Sequence, residues 1–211
     1  KTGAITISHL RFSEQPIQSS YLIAESDADF IACHQAIFLE RYDMLDMAAK
    51  NALFLLNCAT PAEQVWNILP ARMQKTIIEK SIQFYCIDAD KLAREHGMGS
   101  RINTIMQSCF FALSNLMPKQ QALDAIKNAV KTTYGKKGDE VVQQNCLAID
   151  DSLKALSRVT IPEEVSSTLT RKPAVDPEAP EFVKTVTGEI IAGHGDLIPV
   201  SLLPDDGSYP T

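Results

Sequence analysis

Three apolar runs of strand length fix what this chain can become. "DFIACH" (29–34), "ALFLLN" (52–57) and "IQFYCI" (82–87) carry almost no polar interruption. Runs of this kind suit strands buried on both faces, as in a parallel sheet covered by helices. "AITIS" (4–8) and "SYLI" (20–23) read as two further short strands. Helical patterns fall between the runs. In "CATPAEQVWNIL", Thr60 is placed to cap, Pro61 suits a first helical position and Glu63 completes a capping box. Pro70 opens a second helix with Met73, Ile77 and Ile78 on one side. The alternation predicts an α/β fold: an open, mostly parallel sheet with flanking helices.

Beyond Ile87 the pattern is wholly helical. Ile102, Ile105, Met106, Cys109, Phe110 and Leu113 form one apolar stripe at helical spacing. Pro118 starts another helix, with Leu123, Ile126, Val130 and Tyr134 in line and Gly135 placed to end it. Asp139 is placed to cap the next, whose stripe is Val142, Cys146, Ile149, Leu153 and Leu156. This helical C-terminal half is followed by an extended Pro-rich segment, for seven of the eleven prolines lie from Pro162 onward. The stretch 163–181 reads as a linker. The remainder has two short apolar runs and turns at Gly188, Gly193, Gly195 and Asp206–Gly207. It is too short for a core of its own and is expected to wrap over a larger body.

The net charge of −6, with no long basic run, argues against a nucleic-acid partner. No apolar run has membrane-spanning length and no signal-peptide pattern is present, so a cytoplasmic protein is expected. The chain opens on Lys1, which suggests a processed or excised piece. Its five cysteines are far apart, each in an apolar element and with no CxxC pair. They read as buried thiols in a reducing compartment, with no metal or cluster bound by this segment.

"GMGSR" (97–101) raises the question of a phosphate cradle. Backbone N–H groups at a helix start attract anions, and glycines allow close approach. A dinucleotide fingerprint, however, needs G-x-G-x-x-G directly after a strand. Here the helical "ADKLAREHG" intervenes and the third glycine is missing. The favoured reading is a junction in which Gly97 ends one helix and Ser100 caps the next. Asn103, Gln107 and Ser114, with Phe111 nearby, give the following helix a mostly uncharged second face, suited to a protein surface. "SHLRF" (8–12) leaves the first expected strand with His9 and Arg11, where an anion would approach in a doubly wound sheet, although a structural salt bridge is the favoured reading of Arg11 from the residues alone. Cys33–His34 also ends a strand, where a nucleophile pair is conceivable, and Lys136–Lys137 lie between two glycines, where an anion could bind; burial and plain helix termination are the favoured readings. No Ser/His/Asp order, paired carboxylates or metal spacing appears, so no catalytic residue is assigned.

Taken together, "GAITISHLRF", "PIQSSYLI", "ADFIACHQ", "YDML", "FLLN", "GMGSRINTIMQSCFFAL", "TYGKKGDEVV" and "PEFVKTVTGEIIAGHGDLIPVSLLPDDGSYPT" resemble one family in order. It is the single-chain pyruvate:ferredoxin (or flavodoxin) oxidoreductase. The resemblance implies a gamma-type domain at 1–161, a linker at 162–180, and at 181–211 the start of a small domain named for its Glu-Lys-Arg motif. A first strand and Gly-rich loop are expected upstream, and the motif itself beyond Thr211. It further implies oxidative decarboxylation of pyruvate with thiamine diphosphate and magnesium. Electrons would pass through 4Fe–4S clusters to ferredoxin or flavodoxin, and the acetyl group to coenzyme A. The whole enzyme is expected to be a homodimer whose cofactors lie outside this segment. His9, Arg11, Arg101 and Asn103 are the candidate residues for coenzyme A access or domain contact. Two rival readings stand beside it: a purely architectural interaction domain, and a free-standing nucleotide-binding dehydrogenase domain.

Overall fold

The structure is a computed structural model and describes residues 5–18, 22–171 and 173–210. Three strands, β1 (Ala28–Cys33), β2 (Ala48–Asn57) and β3 (Gln83–Ile87), run parallel in that spatial order. The three apolar runs thus form the sheet, as their composition requires. A fourth strand, β4 (Ser157–Arg158), joins β3 antiparallel, with Val159 N–H donating to Phe84 O at 2.9 Å.

Side-chain alternation divides the sheet between two cores. Cys33, Phe54, Leu56, Phe84 and Cys86 face one side, where Trp66, Leu69, Met73 and Ile77 cover them. That cover comes from α1 (Ala62–Val65), a 3-10 turn (Trp66–Ile68) and α2 (Ala71–Glu79). Leu55, Ile87 and the half-buried Phe30 and Tyr85 face the other side. They meet Leu92 of α3 (Ala89–Glu95) and Ile105, Met106 and Cys109 of α4 (Asn103–Ser114). Outside these, α5 (Lys119–Tyr134) packs Leu123, Ile126 and Val130 on Ile149 of α6 (Asp139–Ala155). The helical stripes read from periodicity are therefore the faces that pack.

Several local expectations are corrected. Residues 5–8 and 22–23 form no strand; Ala4, Ser20 and Tyr21 lie outside the described residues. A strand needs a backbone partner, and this segment is tied by a side chain instead: Ile23 N–H donates to His9 Nδ1 at 3.1 Å. The Thr60/Glu63 capping box does not form, because α1 is a single turn with Pro61 at its start and no side-chain cap. Thr60 instead offers its carbonyl to the Cys58 thiol at 3.5 Å. Gly135 stays in the helical region (φ −54°) and the chain turns on through a 3-10 turn (Gly135–Lys137). The break falls at Gly138 (φ 106°), which precedes α6, so Asp139 is the first helical residue rather than the cap. Its carboxylate there still favours the positive end of the helix dipole.

After β4 the chain crosses α2 and ends in a π-helical turn (Val183–Thr187) that runs into α7 (Gly188–Ala192). A Cβ at Gly188 would lie 3.2 Å from Val175 Cγ2, so α7 sits directly on the linker. Tyr209 closes the tail over Phe182 (ring centroids 5.1 Å apart) and bonds its hydroxyl to Thr187 Oγ1 at 2.7 Å. Among the described residues no helix is long and apolar enough to cross a membrane.

Candidate functional site

The junction at 97–101 is a helix stop. Gly97 N–H donates to Arg94 O, and Met98 N–H reaches back to Ala93 O at 2.8 Å, with Gly97 left-handed at φ 68°. These bonds satisfy the last carbonyls of α3. Ser100 does not cap α4; Ile102 takes that position without a side-chain bond. Arg101 turns its Nε–H onto Met98 O at 3.0 Å and so braces the junction, while Asn103, exposed, is the first residue of α4.

His9 and Arg11 lie on the 5–27 segment rather than at a strand end. His9 Nδ1 accepts from Ile23 N–H, which requires that ring nitrogen to be unprotonated. Arg11 is half-buried beside Phe12, at the head of a shallow hollow lined by Ser13, Glu14 and Gln15. Phe12 reaches Phe110 at 5.8 Å between ring centroids, and Phe110 contacts Phe30 (4.9 Å) and Phe111 (5.0 Å). Arg11 thus belongs to a segment anchored on the later part of α4, whereas Arg101 and Asn103 stand at its start. Phe110 follows Asn103 by seven residues, a rise of about 10 Å along the helix.

At the carboxyl edge of the sheet, where open α/β folds gather ligands, Asn57 is buried and fully engaged. Its Nδ2 donates to His34 O (2.9 Å) and Asp90 Oδ2 (2.8 Å), and its Oδ1 accepts from Ala89 N–H (2.9 Å). One amide locks the ends of β1 and β2 to the start of α3. Burial lowers the His34 pKa, favouring the neutral ring.

The densest polar constellation was missed in the sequence. Gln74 is fully buried in α2, donates Nε2–H to Trp66 O at 2.8 Å, and accepts both Ser166 N–H and Ser167 N–H on Oε1, each at 2.9 Å. Trp66 Nε1–H donates to Ser166 Oγ, and Ala71 N–H to Leu169 O. Beyond this clasp, Arg171 pairs with Asp43 at 3.2 Å, Arg72 with Asp46 at 2.8 Å, and His194 Nε2 lies 3.9 Å from Asp46. The ligand atoms of Asp43, Asp46 and His194 converge within 4.8 Å of one another. Two guanidinium groups already neutralise these carboxylates, so the group acts as an ion-pair seam and disfavours an added cation. Its members are up to 151 positions apart, and only folding brings them together.

The comparisons follow this division. A family model described as "Pyruvate ferredoxin/flavodoxin oxidoreductase" matches residues 1–155, and a second, "Domain of unknown function", matches residues 168–211. The clasp residues 166 and 167 fall between the two. The chain is similar over its whole length to pyruvate-flavodoxin oxidoreductase of Rhodospirillum rubrum (49% identity), to that of a Nostoc species (46%) and to pyruvate:ferredoxin oxidoreductase of Moorella thermoacetica (44%). It spans 18% of the length of each, so the matched region is one stretch of a much longer polypeptide in these relatives. A pyruvate oxidoreductase subunit of Thermotoga maritima is a loose structural likeness, with a TM-score of 0.47 and 14% identity over 62% of this chain and 64% of that one. With one model covering residues 1–155 and relatives at 44–49% identity over the full chain, the protein belongs to the pyruvate ferredoxin/flavodoxin oxidoreductase family.

Proposed function

We propose that this chain is the gamma-type segment, with the start of the small domain after it, of an enzyme that oxidatively decarboxylates pyruvate with coenzyme A. The products are acetyl-CoA and carbon dioxide, and the electrons go to ferredoxin or flavodoxin. The observation that carries this reading is identity of 44–49% to three such oxidoreductases along the entire chain. The segment has no activity alone: thiamine diphosphate, magnesium and the 4Fe–4S clusters are held by other parts of a cytoplasmic, homodimeric enzyme. Its own work is to pack those domains and frame the approach of coenzyme A. The domain limits are 1–161, 162–180 and 181–211.

His9, Arg11, Arg101 and Asn103 are proposed to line that approach or a neighbouring domain. Arg11 and Arg101 offer cations at two places along α4, which suits a ligand with phosphates spread over its length. In the full-length enzyme, Arg11→Ala and Arg101→Ala are expected to raise the apparent KM for coenzyme A severalfold with pyruvate KM unchanged. Unchanged coenzyme A affinity and turnover in both variants contradicts the assignment. The clasp around Gln74 favours the architectural part of the role, since it ties the stretch between the two family regions back onto α2.

A further inference from the structure

His194 stands where the tail meets the body of the domain. It follows Gly193, left-handed at φ 85°, and its N–H donates to Glu189 O at 2.8 Å, which closes α7. The turn brings the ring against the 3-10 turn (Met44–Met47) that leads into β2. The side chain is sheltered, 16% exposed, and both ring nitrogens face carboxylates: Nδ1 lies 3.1 Å from Glu189 Oε2 and Nε2 3.9 Å from Asp46 Oδ2. A neutral imidazole carries a single N–H and would set a bare lone pair against one of the two. The imidazolium turns an N–H toward each.

The surrounding charges favour the same form. Asp43 and Asp46 beside the turn and Glu189 of α7 are the carboxylates. Against them stand Arg72 of α2, 2.8 Å from Asp46 and 3.8 Å from Asp43, and Arg171 of the linker, 3.2 Å from Asp43. The guanidinium groups answer the two aspartates and leave Glu189 to His194. Lys80, from the end of α2, is engaged elsewhere, on the backbone carbonyls of Leu45, Asp46 and Ala48 and on Ser26 Oγ. Lys184 pairs with Glu181 at 3.0 Å. Asp43 and Asp46 lie in the first matched region, whereas Arg171, Glu189 and His194 lie in the second. Among the described residues, the other polar contacts of 181–210 stay within the tail, as between Thr187 and Tyr209. The Asp46–His194 pair is the charged contact from tail to body.

We propose that His194 is a pH-sensitive latch, which holds α7 and the turns after it on the body of the domain when the ring is charged and loosens them when it is neutral. Docking adds Asp46 to a ring that otherwise faces Glu189 alone. The contact is therefore complete at the acid end and weakens as pH rises across about 5–8, where an imidazole gives up its proton. The apolar part of the join, around the buried Val186 and Gly188 against Val175, does not titrate, so the tail loosens without unfolding.

The test is amide hydrogen exchange of the full-length protein at about pH 5.5 and about pH 8, corrected for intrinsic rates and read in peptides covering 182–203, with β2 peptides as the internal reference. The tail is expected to be severalfold better protected at the lower pH. His194→Gln should be poorly protected at both, and Glu189→Gln should narrow the difference. His96→Gln, whose ring pairs with Asp151 on α6 instead, should keep it. The proposal is overturned if wild-type protection is equal at the two pH values or rises with pH, if the difference survives in full in His194→Gln or Glu189→Gln, or if it vanishes in His96→Gln.

Discussion

One buried amide ties the stretch between the two family regions back onto α2. Gln74, fully buried, donates to the Trp66 carbonyl and accepts from two backbone amides of the linker. Gln74→Leu keeps the volume and leaves the Ser166 and Ser167 amides unpaired, each at a cost of about 1–3 kcal/mol, while the Trp66 carbonyl keeps its bond from Leu69 N–H. The variant is expected to lose about 3 kcal/mol in urea unfolding and to be cleaved faster by trypsin at Arg171. Unaltered stability and cleavage contradict the clasp. The two glycines of the α3–α4 junction give a second test. Gly97 and Gly99 are both left-handed, at φ 68° and 63°. A Cβ at Gly97 meets only the mobile Gln144 amide at 3.0 Å, and one at Gly99 meets open space. Replacement of either by Ala is therefore expected to cost about 1–2 kcal/mol, set by the backbone alone. A loss at Gly97 several times that at Gly99 would mean that packing, not conformation, selects the glycine there.

At the scale of elements, what repeats locally was legible and what depends on distant partners was not. The apolar runs at 29–34, 52–57 and 82–87 announce β1, β2 and β3 because a strand buried on both faces can hold little else. The stripe from Ile102 to Leu113 announces α4 because its period matches the helix. The two residues of β4 carry no period, so nothing in the sequence marks them. Gln74 looks like an ordinary polar residue of an amphipathic helix, and its partners lie 92 and 93 positions onward. His9 and Arg11 are visible as candidates, but their expected strand finds no backbone partner among the described residues. The cores also make a titration prediction. Burial pushes Cys33 up to about 11 and Cys109 to about 12 from an ordinary 9.0. Both are neutral in the fold, so they add stability fully below about pH 9 that is lost as pH rises through 11 to 12. Urea midpoints should fall across that range, and less steeply in the Cys33→Ala, Cys109→Ala double variant; equal slopes contradict the assignment.

At the scale of the whole molecule, β1 is an edge of the described sheet, paired to β2 alone. An open edge is a place for another strand. If the first strand that the family resemblance implies pairs there, a chain extended upstream to include it is expected to melt several degrees higher; equal midpoints refute that completion of the sheet. The ion-pair seam and the clasp bind the tail across α2, and the aromatic cluster on α4 binds the 5–27 segment to the opposite face. Both terminal regions thus brace the central sheet, as suits the proposed role of a segment whose neighbours do the chemistry. The most direct measurement of that claim is pyruvate- and coenzyme A-dependent reduction of ferredoxin and flavodoxin by the full-length protein, loaded with thiamine diphosphate, magnesium and iron–sulfur clusters, beside this chain alone. The account predicts reduction with release of carbon dioxide and acetyl-CoA by the full-length protein and none by the segment; no turnover in the loaded full-length protein, or turnover by the segment, contradicts it.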